Sequence, residues 1–429
     1  CPAFFGGEPS ATAPVPTEGQ TLRPQNRVTP PPARAAATKG KGMRNILQHH
    51  VHTELAYVRD LRHRLHRIPE PAFEEKETSA LIAEELAGLE LAVTTGVGGT
   101  GIVADLDTGR PGGVVALRAD MDALPVDEGT RRPYHSTHPG YAHACGHDGH
   151  MAVLVGAARA AAAMRDRLHG RIRFVFQPAE EITRGAARMI AEGVLDTPRP
   201  DAAFALHGWP DLPVGKVASM PGTVMANCDV FTVRVVGKGG HGARPQFAKN
   251  PLVGVARVVE ALTAMTTGER VVSPCIGRAG QKVNVIAETG EVAGTGRTLN
   301  SDMREKTRRE IERVASETCA EAGMKAETTF EEGTSAVVVS PQMYELFCDV
   351  AARYIGRENV ASLNGSSMGA EDFGEFLARV PGVMFRLGLG RTTAELHNPG
   401  FDFNDDALET GMMVLLGLGI HVAAHAANE

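Results

Sequence analysis

Short apolar, β-rich segments alternate with helical patterns through much of the chain, and this alternation constrains the fold more than any other feature. Helical spacing of apolar residues is found at 45–65, 77–91 and 149–168. Strands are predicted at residues 102–106, 114–117, 171–176, 202–206 and 383–387. Strands that alternate with helices form mostly parallel sheets with helices on both faces. The sequence therefore predicts an α/β fold with a mostly parallel, twisted sheet and flanking helices.

Side chains of the types that bind metal ions follow several of these strands. In chain order they are Asp120 and Asp122, Glu180 and Glu181, His207, and His397. Because the carboxyl ends of parallel strands meet at one edge of a sheet, a site is expected there. Taken singly, each acidic residue could equally be a capping or solvated group. Adjacent Glu180 and Glu181 would repel each other if both were buried and charged, and a divalent cation relieves that repulsion.

Cys145 and His147 flank a glycine directly ahead of the predicted helix at 149–168. A tight bend at that glycine can aim both side chains at one point. A thiolate beside an imidazole suits zinc, and manganese or cobalt when carboxylates join them. Taken alone, such a pair is more often incidental than a ligand pair. The remaining ligands must come from elsewhere in the chain.

The pattern changes between residues 225 and 335. Strands are predicted at 229–236, 283–288, 294–299 and 325–330, with helices at 250–265 and 305–322. Such a succession predicts a small α+β lid or dimerisation domain inserted into the larger one. We therefore expect a catalytic domain in two parts, 43–224 and 336–429, around a lid at 225–335.

Residues 1–42 are rich in proline, alanine and threonine and lack apolar periodicity, which predicts a disordered extension. Cys1 could be a lipid attachment site, although no apolar signal segment accompanies it. The alternative is an upstream extension ahead of a domain that starts near Met43.

Composition excludes several classes of function. The net charge of −7 and the isoelectric point near 6.2 argue against nucleic-acid binding, which requires basic clusters. The sequence contains no run of about 18 apolar residues, so no membrane span is predicted. The 6 cysteines follow no disulfide-framework spacing, so we expect reduced thiols and a cytoplasmic location.

Five segments together resemble the M20 metallopeptidase family, and within it the aminoacylase and hippurate hydrolase branch, which hydrolyses N-acyl amino acids. They are Leu117-Arg-Ala-Asp-Met-Asp-Ala-Leu-Pro125, His143-Ala-Cys-Gly-His-Asp148, Gln177-Pro-Ala-Glu-Glu181, Gly237-Lys-Gly-Gly-His-Gly242 and Leu396-His-Asn-Pro399. The resemblance covers the chain from about residue 47 onward and implies a di-metal exopeptidase-like fold.

The resemblance also implies a role for each matching residue. Cys145 would bridge two divalent metal ions, zinc, manganese or cobalt, with His147 and His207 completing one site and Glu181 and His397 the other. The resemblance further implies that Glu180 is the general base and that His241 of a homodimer partner stabilises the oxyanion. It implies that Asn284 and Arg297 bind substrate. Asp120 and Asp122 would at most support the metal ligands.

The expected activity is hydrolysis of the amide bond of a small N-acyl amino acid to a carboxylic acid and a free amino acid. A dipeptidase or carboxypeptidase of the same family is the first alternative. A non-catalytic binding protein with a vestigial site is a second alternative, from a different class.

Overall fold

The computed structural model describes residues 36–129, 132–391 and 394–425. In these ranges the helices are α1 Ala36–His66, α2 Lys76–Leu86, α3 His147–Ala163, α4 Gly185–Ala191, α5 Pro251–Thr263, α6 Ser301–Glu321, α7 Pro341–Ile355, α8 Gly374–Leu377 and α9 Leu408–His425. The strands are β1 Ala92–Val97, β2 Gly101–Asp107, β3 Val114–Asp120, β4 Arg171–Gln177, β5 Ala202–Trp209, β6 Val217–Ser219, β7 Gly222–Met225, β8 Asn227–Val236, β9 Gly240–His241, β10 Arg270–Ala279, β11 Val285–Ile286, β12 Thr289–Thr298, β13 Lys325–Thr334, β14 Val337–Val339, β15 Val360–Ser362 and β16 Gly382–Gly388.

Eight strands form the central sheet in the order β1-β2-β4-β3-β5-β16-β6-β15. The centre of this sheet is parallel, because β3 pairs in parallel with β4 and β5, and β5 with β16. Antiparallel pairs flank it, with β1 on β2 and β2 on β4 at one side and β6 on β16 at the other. The mostly parallel α/β sheet expected from the alternation is confirmed.

Helices α3 and α9 pack on β3, and α1 packs on α3. In the described part of the chain, one helical stretch, Asp405–Ala424, is long and apolar enough to cross a membrane, with a mean hydropathy of 1.6. It is 72% buried inside the fold, and Val414, Leu416 and Leu418 have no exposed surface. Its apolar residues therefore form part of the core that covers the sheet.

Residues 227–334 form a smaller unit with an antiparallel sheet in the order β10-β12-β8-β13. Alternation along β8 turns Phe231, Val233 and Val235 inward and leaves Val230 and Arg234 exposed. The inward side chains pack with those of α5 and α6 in a core separate from that of the large sheet. This unit is the inserted α+β element that the change of pattern predicted.

The prediction for the strands of the smaller unit is wrong in one place. Its fourth strand is β10, which contains Pro274 and Gly277 and was therefore missed. An edge strand tolerates proline, and β10 carries a bulge between Pro274 and Ile276. The segment predicted as a strand at 283–288 contributes only β11, which pairs with β9 outside the main sheet.

Several helix boundaries also differ from the predictions, among them the end of α3 at Ala163, the start of α6 at Ser301 and those of α2 and α1. α2 ends at Leu86 instead of residue 91, because Ala87 is extended and Gly88 has a positive φ of 81°. α1 begins at Ala36, so the last part of the predicted 1–42 extension is helical, which suits the alanines there. Residues 1–35, with Cys1, lie outside the described residues.

Candidate active site

Loops at the carboxyl ends of three neighbouring parallel strands supply most of the site. β3 ends at Asp120, β4 leads into the turn with Glu180 and Glu181, and β5 carries His207 near its end. These strands are adjacent, in the order β4-β3-β5. Their carboxyl ends therefore open onto one crevice, which is where parallel sheets place their sites.

The bend between Cys145 and His147 depends on Gly146, which adopts the left-handed conformation with φ 90°. A Cβ at this position would also come within 3.2 Å of Phe403 and 3.3 Å of Phe401. α3 begins at His147 and is buried over nearly its whole length. The core thus anchors the bend and directs Cys145 and His147 into the crevice.

Two groups of potential metal ligands share Cys145. Ligand atoms of Cys145, His147 and His207 lie within 4.8 Å of one another, and so do those of Cys145, Glu181 and His397. Buried His147 Nε2 and Glu181 Oε1 have no hydrogen-bond partner within the described chain. Buried polar atoms are normally paired, so these two atoms indicate a ligand. The donor set fits two divalent metal ions.

Hydrogen bonds on the far side of the two buried imidazoles set their tautomers. His147 Nδ1 donates to the Asp122 carbonyl oxygen and His207 Nδ1 donates to the Gly208 carbonyl oxygen, both at 2.8 Å. A carbonyl only accepts, so each Nδ1 carries a proton, and in the neutral form of each ring the lone pair of Nε2 faces the cluster. Burial lowers the pKa of His207 to about 3, which keeps this ring neutral and able to bind a metal ion.

The cluster carries an excess of negative charge. Burial and neighbouring carboxylates raise the pKa of Glu180 well above its usual range, and burial raises that of Glu181 to about 7. Burial and the same two glutamates raise the pKa of the Cys145 thiol. Burial opposes charge on His147, yet nearby carboxylates raise its pKa to about 10. All four shifts reflect a demand for positive charge, which a divalent cation supplies.

His397 lies at the rim of the crevice. Its side chain is 55% exposed, and its Nε2 is 3.7 Å from Glu181 Oε2. Its backbone has a positive φ of 64°, and its N–H donates to the Ala144 carbonyl oxygen at 2.7 Å. The loop after β16 is therefore held directly beside Cys145.

Asp122 supports the turn that carries the two glutamates. Its Oδ1 accepts from the Glu180 N–H at 2.9 Å and its Oδ2 from the Glu181 N–H at 3.0 Å. Because its carbonyl also binds His147, this one residue orients three members of the cluster. Its contacts agree with the supporting role that the resemblance implied.

Asp120 supports the end of β5 indirectly, through a hydrogen bond with His150. Asp120 Oδ1 lies 2.7 Å from His150 Nδ1, and His150 Nε2 accepts from the Gly208 N–H at 2.8 Å. Because Nε2 accepts a hydrogen bond, the proton of His150 is on Nδ1 and is donated to Asp120. The chain of contacts ends at the backbone beside His207, so it holds the end of β5 in place.

A buried ion cluster lies behind Glu180. The resemblance placed Glu371 and Asp372 near the pocket, but sequence reasoning missed Arg118 as their cation. The guanidinium of Arg118 is 2.8 Å from Asp120, 3.0 Å from Glu371 and 3.1 Å from Asp372. Carboxylate oxygens of Glu180, Glu371 and Asp372 lie within 4.8 Å of one another. Arg118 falls inside the first of the five segments, but nothing local predicts a partner 253 residues away.

His241, Asn284 and Arg297 lie on the smaller unit, and no described contact joins them to the ligand cluster of the same chain. His241 is exposed, and its Nδ1 accepts from the Ala243 N–H at 3.0 Å. Asn284 is its neighbour, since the Asn284 carbonyl accepts from the Gly242 N–H at 2.9 Å. Arg297 donates to the Met368 carbonyl oxygen at 3.1 Å, where the two units meet.

Thiol, imidazole and carboxylate groups that could hold metal ions lie beside one buried glutamate, as a metal-dependent hydrolase requires. Its relatives identify the enzyme as a metal-dependent amidohydrolase. The chain belongs to the peptidase family M20/M25/M40, whose profile matches residues 116–419.

Relatives and solved structures agree with this membership. N-acetylcysteine deacetylase of Bacillus subtilis is 33% identical, with 86% of this chain and 97% of that protein covered. Thermostable carboxypeptidase 1 of Saccharolobus solfataricus is also 33% identical, with 83% and 93% covered. The crystal structure of a dinuclear metal-binding M20 peptidase from Bacillus subtilis superposes with a TM-score of 0.75 at 31% identity, covering 86% of this chain and 99% of that one.

Proposed function

We propose that this enzyme hydrolyses the amide bond of N-acyl amino acids and releases a carboxylic acid and a free amino acid. The observation that carries the proposal is the pair of ligand groups sharing Cys145, with Glu180 buried beside them. The similarity to an N-acetylcysteine deacetylase supports the choice of an acyl amide as substrate.

Cys145, His147 and His207 would hold one divalent ion, and Cys145, Glu181 and His397 the other. A thiolate with two imidazoles favours zinc or cobalt, while the carboxylate of the second group also suits manganese. When bound, such ions supply Lewis-acid activation of a water molecule and of the scissile carbonyl group.

Glu180 is the proposed general base. Its carboxylate lies 3.9 Å from His147 Nε2, and its pKa is raised by burial and by neighbouring carboxylates. A carboxylate with a raised pKa is a stronger base toward water than a solvated one, and its conjugate acid can then pass the proton to the leaving amine. The side chain is 6% exposed, which limits access of bulk water to that proton.

Arg297 and Asn284 are the proposed substrate-binding residues on the smaller unit. A guanidinium can hold a carboxylate through two parallel hydrogen bonds, so Arg297 suits the free carboxylate of the amino acid half. Its position where the two units meet supports this assignment, since a substrate in the crevice would lie between them.

His241 is the proposed oxyanion donor, acting on the site of a second protomer. Support comes from exposed apolar side chains on the smaller unit, which are Phe247 at 68%, Leu252 at 52%, Val253 at 48%, Ile276 at 47% and Val285 at 51% exposure. β10 is also an edge strand, whose unpaired backbone groups can meet another chain. A second copy of this chain is the proposed partner.

Substrate specificity is tested by measuring amine release from N-acetyl, N-benzoyl and long-chain N-acyl amino acids and from dipeptides. Protein loaded with zinc, manganese or cobalt is compared with Glu180→Gln as the blank. Hydrolysis of acyl amino acids above the blank is expected. If metal-replete protein released no amine from any of these amides, a non-catalytic binding protein would be favoured instead.

A carboxypeptidase or dipeptidase is the second candidate, because a thermostable carboxypeptidase is as similar to this chain as the deacetylase is. The same panel separates the two activities. Cleavage of peptides with a free carboxyl terminus, without cleavage of acyl amino acids, would establish this candidate.

The dimer is tested by mixing two inactive variants, Glu180→Gln and His241→Ala. If His241 acts on the partner's site, mixed dimers regain one complete site, and activity returns to about a quarter of the wild-type value. No recovery would contradict action across the dimer. Leu252→Asp should give monomers in ultracentrifugation, whereas Val93→Asp, exposed on the large sheet, should not.

We also propose that the protein is cytoplasmic. This location is supported by the cysteines of the described chain, all five of which are free thiols. Reducing compartments maintain cysteines in this state.

A further inference from the structure

The turn that carries the proposed base is held by an unusual arrangement of carboxylates. Three consecutive backbone N–H groups, those of Ala179, Glu180 and Glu181, all donate to buried carboxylate oxygens. The last two donate to Asp122, whereas the first donates to Glu75 Oε1 at 2.9 Å. Glu75 lies 104 residues away in sequence and belongs to none of the five motif segments.

Glu75 has no exposed surface, and three donors surround its carboxylate. The Phe73 N–H also reaches Oε1, at 3.0 Å, and the Thr100 hydroxyl donates to Oε2. Thr100 belongs to the glycine-rich turn between β1 and β2. The side chain therefore joins the start of α2, this turn and the turn of Glu180 in one place.

Glu75 stands at the start of α2, yet its side chain makes its hydrogen bonds elsewhere. It is the residue just before α2, where a short polar side chain (Ser, Thr, Asp or Asn) commonly caps the helix. Glu75 makes no such cap. Glu70 does this instead, with its two oxygens accepting from the Glu77 N–H at 3.1 Å and the Thr78 N–H at 2.9 Å. The carboxylate of Glu75 is not needed as a cap, and it accepts the hydrogen bond from the Ala179 N–H.

Ala179 is the point where the turn most needs support. It is a fully buried non-glycine residue with a positive φ of 55°, directly before Glu180. Such a conformation persists only when the surrounding contacts enforce it. A relaxed Ala179 would rotate the following peptide and move the Glu180 carboxylate relative to Cys145 and His147.

We propose that Glu75 is a positioning residue for the general base, acting through the Ala179 N–H. The inference rests on the proposed role of Glu180, and it concerns the geometry of the turn, independent of which amide the enzyme cleaves. Glu75 touches neither ligand cluster, so its loss should lower kcat much more than it changes KM or metal content.

The experiment compares Glu75→Ala, Glu75→Gln and Glu74→Ala in metal-loaded protein. Glu75→Ala removes the acceptor, Glu75→Gln keeps a side-chain oxygen for Ala179, and Glu74 is the exposed neighbour that serves as the matched control. Loss of a residue that orients a metal site's groups typically costs about 10- to 100-fold in activity. We expect such a fall in kcat for Glu75→Ala, substantial recovery in Glu75→Gln, and wild-type values for Glu74→Ala.

Hydrogen exchange measured by mass spectrometry provides the readout that needs no substrate. In Glu75→Ala the peptide covering 179–181 should lose protection while peptides from α3 and α9 keep theirs. This result stands even if the proposed substrate is wrong, so the two failures are distinguishable. Unchanged protection of 179–181 with unchanged kcat would overturn the inference, and so would loss of protection throughout the protein.

If Glu75→Ala does not fold, Thr100→Val decides the question, because it removes only the hydroxyl that fixes the second oxygen of Glu75. Faster exchange confined to 179–181 together with a lower kcat would support the positioning role. Wild-type exchange and kcat in this variant would refute it.

Discussion

Replacing Arg118 with methionine should destabilise the larger unit strongly, because the guanidinium is the cation of a buried carboxylate cluster. Arg118 is 1% exposed and contacts Asp120, Glu371 and Asp372 within 3.1 Å. Its Nε also donates to Gln177 Oε1 at 2.9 Å. Removing one partner from a buried ion cluster typically costs about 3–5 kcal/mol, since the opposite charges remain without compensation. We expect a loss of that size at pH 8.

The size of this loss should depend on pH. Burial and Glu371 already raise the pKa of Asp372 to about 8, despite the opposing effect of Arg118. A carboxyl group with a raised folded-state pKa stabilises the fold most when protonated and loses that contribution as pH rises. Without Arg118 the folded-state pKa rises further, so the difference between variant and wild type should grow with pH. At pH 5, where Asp372 is protonated and Asp120 is still ionised, we expect the cost to be smaller than at pH 8.

Trp209 provides the assay, because it is the sole tryptophan of the chain and its ring lies 5.8 Å from that of His207. Its fluorescence during urea unfolding of metal-free protein reports on the larger unit. Arg184→Met is the control, since Arg184 pairs with Glu331 at the surface, where a pair is worth about 0–1 kcal/mol. A loss below about 1 kcal/mol for Arg118→Met, or an equal loss at both pH values, would refute the reasoning.

Three further predictions concern the site and its surroundings. Glu180→Gln should keep its metal content by elemental analysis while kcat falls about 10²- to 10⁴-fold, the usual contribution of a general base; an active variant would exclude Glu180 from that role. Cys145→Ala should lose metal in the same analysis, and unchanged metal content would show that the thiolate is not a ligand. Although burial opposes its charge, the hydrogen bonds that His66 donates to the carboxylates of Asp148 and Glu128 raise its pKa from 6.5 to about 9. This charge should stabilise the fold by on the order of 3 kcal/mol below pH 6.5 and fade as pH rises through 9. Urea midpoints of His66→Asn should lack this pH dependence, and an unchanged profile would contradict it.

The candidate ligands could be found in the sequence because their positions follow from local rules. Glu181 and His207 come at or after the ends of strands whose apolar pattern is readable, and parallel strands bring their carboxyl ends together. Cys145 and His147 are close in sequence, with a glycine to make the bend. The five segments then linked these residues to one family, and the profile match over residues 116–419 confirms it.

Other features were not readable because they depend on long-range contacts. Arg118 looks like any strand arginine until the fold places Glu371 and Asp372 beside it. Glu75 looks like one more acidic residue near a helix start until the fold brings the Ala179 N–H within hydrogen-bond distance. Strand β10 was missed because proline and glycine are local signals for a loop, whereas its place at a sheet edge is a tertiary property.

The sequence by itself thus determined the fold class, the family and the residue types that supply the chemistry. Periodicity, turn residues and spacing act over a few residues, and they are sufficient for the fold class and the candidate ligands. The family came from the resemblance of the five segments and is shown by the profile match. Only the tertiary structure decided which buried charges compensate one another and which side chains support the turn of Glu180. Those decisions depend on the burial and distances of residues far apart in the chain, such as Arg118 and Glu371, and no local pattern encodes them.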